Sequence, residues 1–322
     1  MPAFNDYTPT NTNMSSSTGL SAGMQRYYNR TLLEDKEAKL VHEQFCTHVP
    51  FPRNNGTSMS LRKLLKVASN TTPLTEGNPG NGQMLSETEV IMNIAQYGDY
   101  VRTSEWLDLV HLDERIERRV KRMANAGWRS IDEVVRDEMA TATSVIYANG
   151  KTARSGLAAS DKLTNVELRK AVVQLKNNLA EPFDGGMYVA IINPNITYDL
   201  QDDPRFLAVS QYQDKENIYT GEIGRLNGLY GVRLVEATNI KIFTGAGASS
   251  ADVASVIVLG RDAFYDTDLM GGSPRVIVKN PGSAGTIDPL DQIATVGWKL
   301  NGFGVKCVQP QYCVRIECGF TA

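Results

Sequence analysis

Residues 113–149 read DERIERRVKRMANAGWRSIDEVVRDEMATATSVIYAN, and how this stretch folds decides the architecture. Ile116, Val120, Met123, Gly127, Ile131, Val134, Met139, Ala142 and Val145 fall mostly three or four apart, the period of one helical face. Asp113, Glu114 and Glu117 load the first turns, and Arg118, Arg119, Lys121 and Arg122 follow, giving solvated faces of mixed sign. Asn149-Gly150 supplies a stop, because both residues accept the left-handed conformation that ends helices. An unbroken helix over 113–149 would be roughly 55 Å long at ~1.5 Å per residue. That exceeds the width of a compact domain and predicts an elongated subunit. Gly127 and the Ser130-x-x-Glu133 capping-box pattern mark a point where the helix can bend or restart.

The 322 residues suffice for two or three subdomains. With 42% hydrophobic and 21% charged residues the chain has the chemistry of a folded protein rather than a disordered one. A formal net charge of -3 gives no global basic field for nucleic acid, though loose contact with DNA stays open. No apolar run approaches the ~20 residues of a membrane span, so no membrane partner is expected. The opening Met-Pro-Ala-Phe-Asn-Asp lacks the basic and apolar regions of a signal peptide, so the protein is expected to stay where it is made.

Upstream of the helix, residues 1–23 are rich in Ser, Thr and Asn and read as a tail that gains order only against a partner, most simply a neighbouring subunit. Met24 to Phe45 reads as an amphipathic helix, with His42 and His48 near its end as surface or capping histidines. Thr57 to Val67 and Thr88 to Thr103 read as two strands, joined by a turn-rich tip containing Pro73, Gly77, Pro79, Gly80 and Gly82. A two-stranded arm is marginal alone in water. It is therefore expected to pack on another copy of the protein. Arg62, Lys63 and Lys66, facing Glu76, Glu87 and Glu89, are candidate inter-subunit contacts, with Leu74 at the tip and Arg118 and Arg122 on the long helix. Exposed ion pairs contribute only ~0–1 kcal/mol each and matter by repetition.

Downstream, Lys151 to Leu163 is a polar loop, and Thr164-x-x-Glu167 is a capping box opening a helix to about Leu179. Met187 to Ile192 is a continuous apolar strand, followed by short helices from Pro194 and Pro204, an α/β order. Strands are expected at 231–237, 240–243, 254–259 and 275–279. Ile293 to Leu300 and Val305 to Cys318 read as an antiparallel pair turning near Asn301-Gly302.

No catalytic, cofactor or metal constellation stands out. The chain lacks HExxH, Walker and Rossmann patterns. Cys46, Cys307, Cys313 and Cys318 form no CxxC pair and read as free buried thiols. Asp202-Asp203 and Asp266-x-Asp268 read as loop aspartates rather than acid/base pairs, and Cys46 beside His48 is a weak thiol dyad. Gly77 to Gly82 lacks the closing Gly-Lys-Ser/Thr of a phosphate loop and reads as a flexible tip.

Several phrases together carry a resemblance. They are Thr72-Pro-Leu-Thr-Glu-Gly77, Gln96-Tyr-Gly-Asp-Tyr-Val101, Val189-Ala-Ile-Ile-Asn-Pro194, Glu216-Asn-Ile-Tyr-Thr-Gly-Glu-Ile-Gly224 and the run from Gly282 to Trp298. Taken in this order over residues 24–318, the chain resembles a tailed-bacteriophage major capsid protein of a podovirus-like branch. The resemblance implies an α+β Hong Kong 97-type capsid fold. It would comprise an N-terminal arm (1–50), an extended E-loop hairpin (51–105) and a P-domain with the spine helix (106–185). An A-domain (186–280) and the return strands of the P-domain (281–322) would complete it. It also implies hexamers and pentamers closing into an icosahedral shell around double-stranded DNA, in a virion assembled in the host bacterial cytoplasm. The implied partners are other copies of the chain, a separate scaffolding protein (no long fused extension being present), a portal protein at one vertex and a decoration protein. Lys63 and Lys66 lie in the region of the covalent lysine–asparagine cross-link of some relatives, with no asparagine partner identified in this sequence. The rival readings are a cellular nanocompartment shell of the encapsulin type and a hydrolase or nucleotide-binding enzyme.

Overall fold

The computed structural model describes residues 40–73, 76–77, 82–110, 116–183, 185–202, 231–269, 275–283 and 288–321. The tail at 1–23, most of the Met24–Phe45 helix, Leu74, the tip at 78–81, the helix expected from Pro204 and the polar run 211–225 lie outside the described residues. A single 3-10 turn, Glu43–Phe45, leads into β1 (Thr47–His48), β2 (Ser58–Leu64), β3 (Glu87–Asn93) and β4 (Ala95–Ser104). Then come α1 (Glu105–Val110), α2 (Ile116–Met139), β5 (Val145–Tyr147), α3 (Asn165–Asn177), β6 (Tyr188–Ile192) and α4 (Pro194–Gln201). The chain closes with β7 (Val232–Glu236), β8 (Ile242–Phe243), β9 (Val253–Leu259), β10 (Phe264–Asp268), β11 (Arg275–Lys279), β12 (Ile293–Cys307) and β13 (Cys313–Cys318).

The deciding stretch is a helix, but a shorter one than its period suggests. α2 has 24 residues, roughly 36 Å at ~1.5 Å per residue. Met123, Gly127, Ile131, Val135 and Met139, each four apart, form its buried row. It passes Ser130 without restarting, because the Ser130 hydroxyl donates to the Ala126 carbonyl at 2.9 Å instead of capping a new helix. It ends at Met139, where Thr141 Oγ1 donates to the Glu138 carbonyl at 2.7 Å and competes for the last turn. Val145, Ile146 and Tyr147 then take a ladder in preference to further helix, pairing in parallel with Arg315, Ile316 and Glu317. Asn149 does adopt the left-handed conformation, with φ 53°, but within a single 3-10 turn after β5.

Hydrogen bonding builds three sheets. A six-stranded sheet runs β5-β13-β9-β6-β7 with β8 on β9, and every residue of β6 and β9 is buried. A five-stranded sheet is centred on β12, which has β4 along one edge and β10 and β11 in succession along the other, with β1 outside β10. The β2–β3 hairpin is a two-stranded sheet of its own. One apolar core joins α2, α3 and the two larger sheets.

The closing strands correct the sequence reading. β12 is one strand of 15 residues that continues through Asn301-Gly302 with a register shift between Leu300 and Phe303. Gly302 makes this bulge at φ +75°, and a Cβ there would lie 2.9 Å from Leu269 Cβ. The chain turns at Pro310–Tyr312, and β13 joins the other sheet rather than pairing with β12. β10 is a strand where loop aspartates were expected. Sheet pairing also crosses the boundary expected at residue 280, since β10 and β11 pair with β12 while β13 pairs with β9. The Thr164 box forms as expected: Val166 N–H donates to Thr164 Oγ1 at 3.3 Å and Thr164 N–H to Glu167 Oε2 at 3.2 Å. Leu168, Val172 and Leu175 of α3 point inward.

Candidate functional site

The two strands of the arm do not form one continuous pair. The second breaks at Ile94, whose N–H donates to the Thr57 carbonyl at 3.0 Å. β3 stays in the hairpin, while β4 joins β12. The hairpin buries a single side chain completely, Met92, at its base. Gly304 of β12 lets the Asn93 backbone approach there, because a Cβ at Gly304 would lie 2.5 Å from the Asn93 carbonyl oxygen. Beyond this anchor the arm exposes Leu64, Leu65, Val67, Met84 and Leu85.

The candidate contact residues separate by position. Arg62 stands directly opposite Glu89 in the β2–β3 register, and Leu64 opposite Glu87. Arg62, Lys66, Glu76, Glu87 and Glu89 are exposed, whereas Lys63 is half-buried. Arg122 is exposed on α2, Arg118 lies on the first turn of α2, and Leu74 is outside the described residues. Register thus makes Arg62 and Glu89 neighbours within one arm, leaving Glu87 and Lys66 as its outward charges.

The strap before the arm holds the two histidines that the sequence reads as surface or capping residues. His42 is buried. Its Nδ1 lies 2.8 Å from Asp132 Oδ2 on α2, and Asp132 Oδ1 accepts the N–H groups of Val41 (3.1 Å) and His42 (2.8 Å). Asn239 Nδ2 donates to Asp132 Oδ2 at 2.8 Å. Burial opposes the Asp132 charge. The hydrogen bond and charge of His42, with the Asn239 amide and the His42 N–H, outweigh it and hold the carboxyl below its usual range. His48 is half exposed, with Nδ1 3.3 Å from Asp266 Oδ2 and Nε2 3.3 Å from Asp268 Oδ1. Asp266 and Asp268 are therefore strand residues that flank a histidine, not turn-formers. Cys46 makes no dyad with it: burial, and behind it Asp266 and Glu43, push the thiol well above its usual range, the wrong direction for a nucleophile. Asp202 ends α4, and Asp203 is outside the described residues.

Among the described residues no group of three His, Cys, Asp or Glu is placed to hold a metal ion. None of their helices is long and apolar enough to cross a membrane. The groove along α3, lined by Val166, Arg169, Lys170, Val173 and Asn177, brings together no acid and base. What the surface does offer is apolar contact on an arm that has no core of its own.

Residues 87–316 match the family described as phage capsid protein, from the second arm strand to β13. The chain belongs to the phage capsid protein family. Solved structures carry the same fold at low identity. The capsid of cyanophage P-SCSP1u matches with a TM-score of 0.71 and 15% identity over 98% of this chain and 100% of that one. The capsid of Ralstonia phage GP4 matches with a TM-score of 0.71 and 15% identity over 92% and 96%. The capsid of Helicobacter pylori bacteriophage KHP30 matches with a TM-score of 0.70 and 12% identity over 96% and 99%. No curated protein matches the chain. This capsid protein is thus a structural component of the virion shell rather than an enzyme, and its family favours that shell over the shell of a cellular compartment. The His42–Asp132 and His48–Asp266 pairs are accordingly ties within the subunit.

Proposed function

We propose that the capsid protein assembles as rings of five and six copies that close into an icosahedral shell around a double-stranded DNA genome, each arm lying across a neighbouring copy. The observation that carries this reading is the arm itself. A two-stranded hairpin that buries only Met92 and exposes a row of large apolar side chains lacks a stable intramolecular solution. A heterologous contact repeated about a rotation axis satisfies it in every copy. In this reading residues 51–105 act as the extended loop, α2 as the spine, and the lobe around β6, β7 and β9 as the part that meets at the ring centre. Glu87, Glu76 and Lys66 of the arm, with Arg118 and Arg122 of a neighbouring spine, supply the polar contacts around it, while Glu89 stays opposite Arg62. Assembly takes place in the host cytoplasm with a separate scaffolding protein, a portal at one vertex and a decoration protein on the outside. The test is expression alone and with the candidate scaffold, followed by electron microscopy of the high-molecular-weight fraction. Closed polyhedra or sheets of five- and six-fold units are expected. A stable monomer under both conditions would overturn the reading.

A further inference from the structure

α1 is a helix turned inside out. Trp106, Leu109 and Val110 stand at i, i+3 and i+4, so they share one face. In a folded chain such a face is normally buried; here the three side chains are 74%, 71% and 64% exposed. The helix is tied to the body by its start: Leu107 N–H donates to Ser104 Oγ at 3.3 Å, and Glu105 N–H to the Gln292 carbonyl at 2.8 Å. Six residues do not hold a helix by local bonding alone. A clustered apolar face on so short an element marks a docking surface.

A second apolar surface lies at the outer end of the arm, where Leu64 and Leu85 are 64% and 70% exposed and Met84 is 93% exposed. The Leu65 N–H to Ser86 carbonyl bond, at 3.0 Å, holds the two strands together at that end. Between Glu87 and Glu105 the chain runs as β3, Ile94 and β4, a span of at most about 60 Å of strand. The two apolar surfaces lie before and after this run, and both stay exposed, so neither covers the other within one chain. Because they differ from each other, joining them between copies gives a head-to-tail contact that propagates around a ring, whereas pairing like with like gives only dimers.

We propose that Trp106, Leu109 and Val110 of α1 form the receiving surface for the arm end (Leu64, Met84, Leu85) of a second copy of this chain. This rests on the shell reading above and assigns the residues on both sides of its main contact. Trp106 is the anchor, as buried tryptophans carry a large share of interface energy.

The experiment begins with wild-type shells and adds Trp106→Glu and, separately, Leu85→Glu. Both positions are exposed, so each variant should keep the wild-type circular dichroism and unfolding midpoint while shell yield falls at least about tenfold. A double variant, Leu85→Cys with Leu109→Cys, should give on oxidation a ladder of covalent oligomers in non-reducing gels, and Leu109→Cys alone should give none. Normal shell yield from Trp106→Glu would overturn the docking and leave the shell reading standing. So would a shell whose double-cysteine chains never cross-link, or dimers from Leu109→Cys alone. Shells formed at wild-type yield by Leu85→Glu would also overturn it, because another segment would then be covering α1. A wild-type chain that builds no shells overturns both.

Discussion

His42 Nδ1 and Asp132 Oδ2 lie 2.8 Å apart with side chains only 2% and 1% exposed, which fastens the strap before the arm to the second half of α2. One carboxylate here receives four donors, two of them backbone N–H groups from the strap. Removing it leaves those donors buried and unpaired. Asp132→Ala should cost about 3 kcal/mol or more in denaturant unfolding. A loss below about 1 kcal/mol would mean the strap is held by something else.

The same pair predicts an acid limb. The Asp132 carboxyl is held below its ordinary value of 3.8 in the fold. A depressed folded value stabilises above the unfolded value, and that contribution is lost as pH falls through the folded one. Below about pH 4 the wild-type chain should therefore lose stability faster than Asp132→Asn. Parallel pH profiles of the two would count against the charge-based account.

α2 is tested at its buried row. Ile131 is 3% exposed within α2, and proline there removes a backbone bond and clashes with the preceding turn. Ile131→Pro should cost ~3 kcal/mol or more and abolish soluble subunit. Wild-type stability would refute the continuous helix.

The base of the arm depends on a missing side chain. Gly304→Val places atoms where the Asn93 carbonyl lies, and overpacking of this kind costs typically ~1–3 kcal/mol. Thermal unfolding should register the loss. An unchanged midpoint would show that the arm base is free to shift. Deleting residues 70–85, in contrast, should leave a folded subunit whose unfolding midpoint is unchanged but which forms no stable shells in electron micrographs.

The thiols should be silent. Burial pushes Cys307 to about 11 and Cys318 to about 12, and Cys46 and Cys313 rise as well. A thiol reagent at pH 8 should find no fast-reacting cysteine in the native chain and all four once urea is added. One rapid native thiol would contradict this packing.

Part of this architecture is legible in the amino-acid letters alone. The Thr164–Glu167 box is local, four residues long, and forms as its letters require. β6 is apolar throughout because both its faces are covered, and continuous apolar runs announce that. The arm, too, shows itself as two strands around a tip without core residues. What escapes a sequence reading is set by partners distant in the chain. β10 carries Asp266 and Asp268, so its letters suggest a loop, and only pairing with Val305 and Phe303 makes it a strand. His42 looks like a surface histidine until Asp132, ninety residues away, arrives to bury it. The exposed stripe on α1 looks like any other short apolar run.

The sequence by itself therefore determined the local elements whose bonds close within a few residues: the capped helix, the buried strands, the periodic face of α2 and the arm without a core. Tertiary structure alone decided where α2 stops, because Val145 to Tyr147 gain more from Arg315 to Glu317 than from another helical turn. It decided that β12 passes through Gly302 and that β13 leaves for the other sheet, since neither choice has a local energetic signature. And it decided that Trp106, Leu109 and Val110 face outward, which depends on what the rest of the chain leaves uncovered.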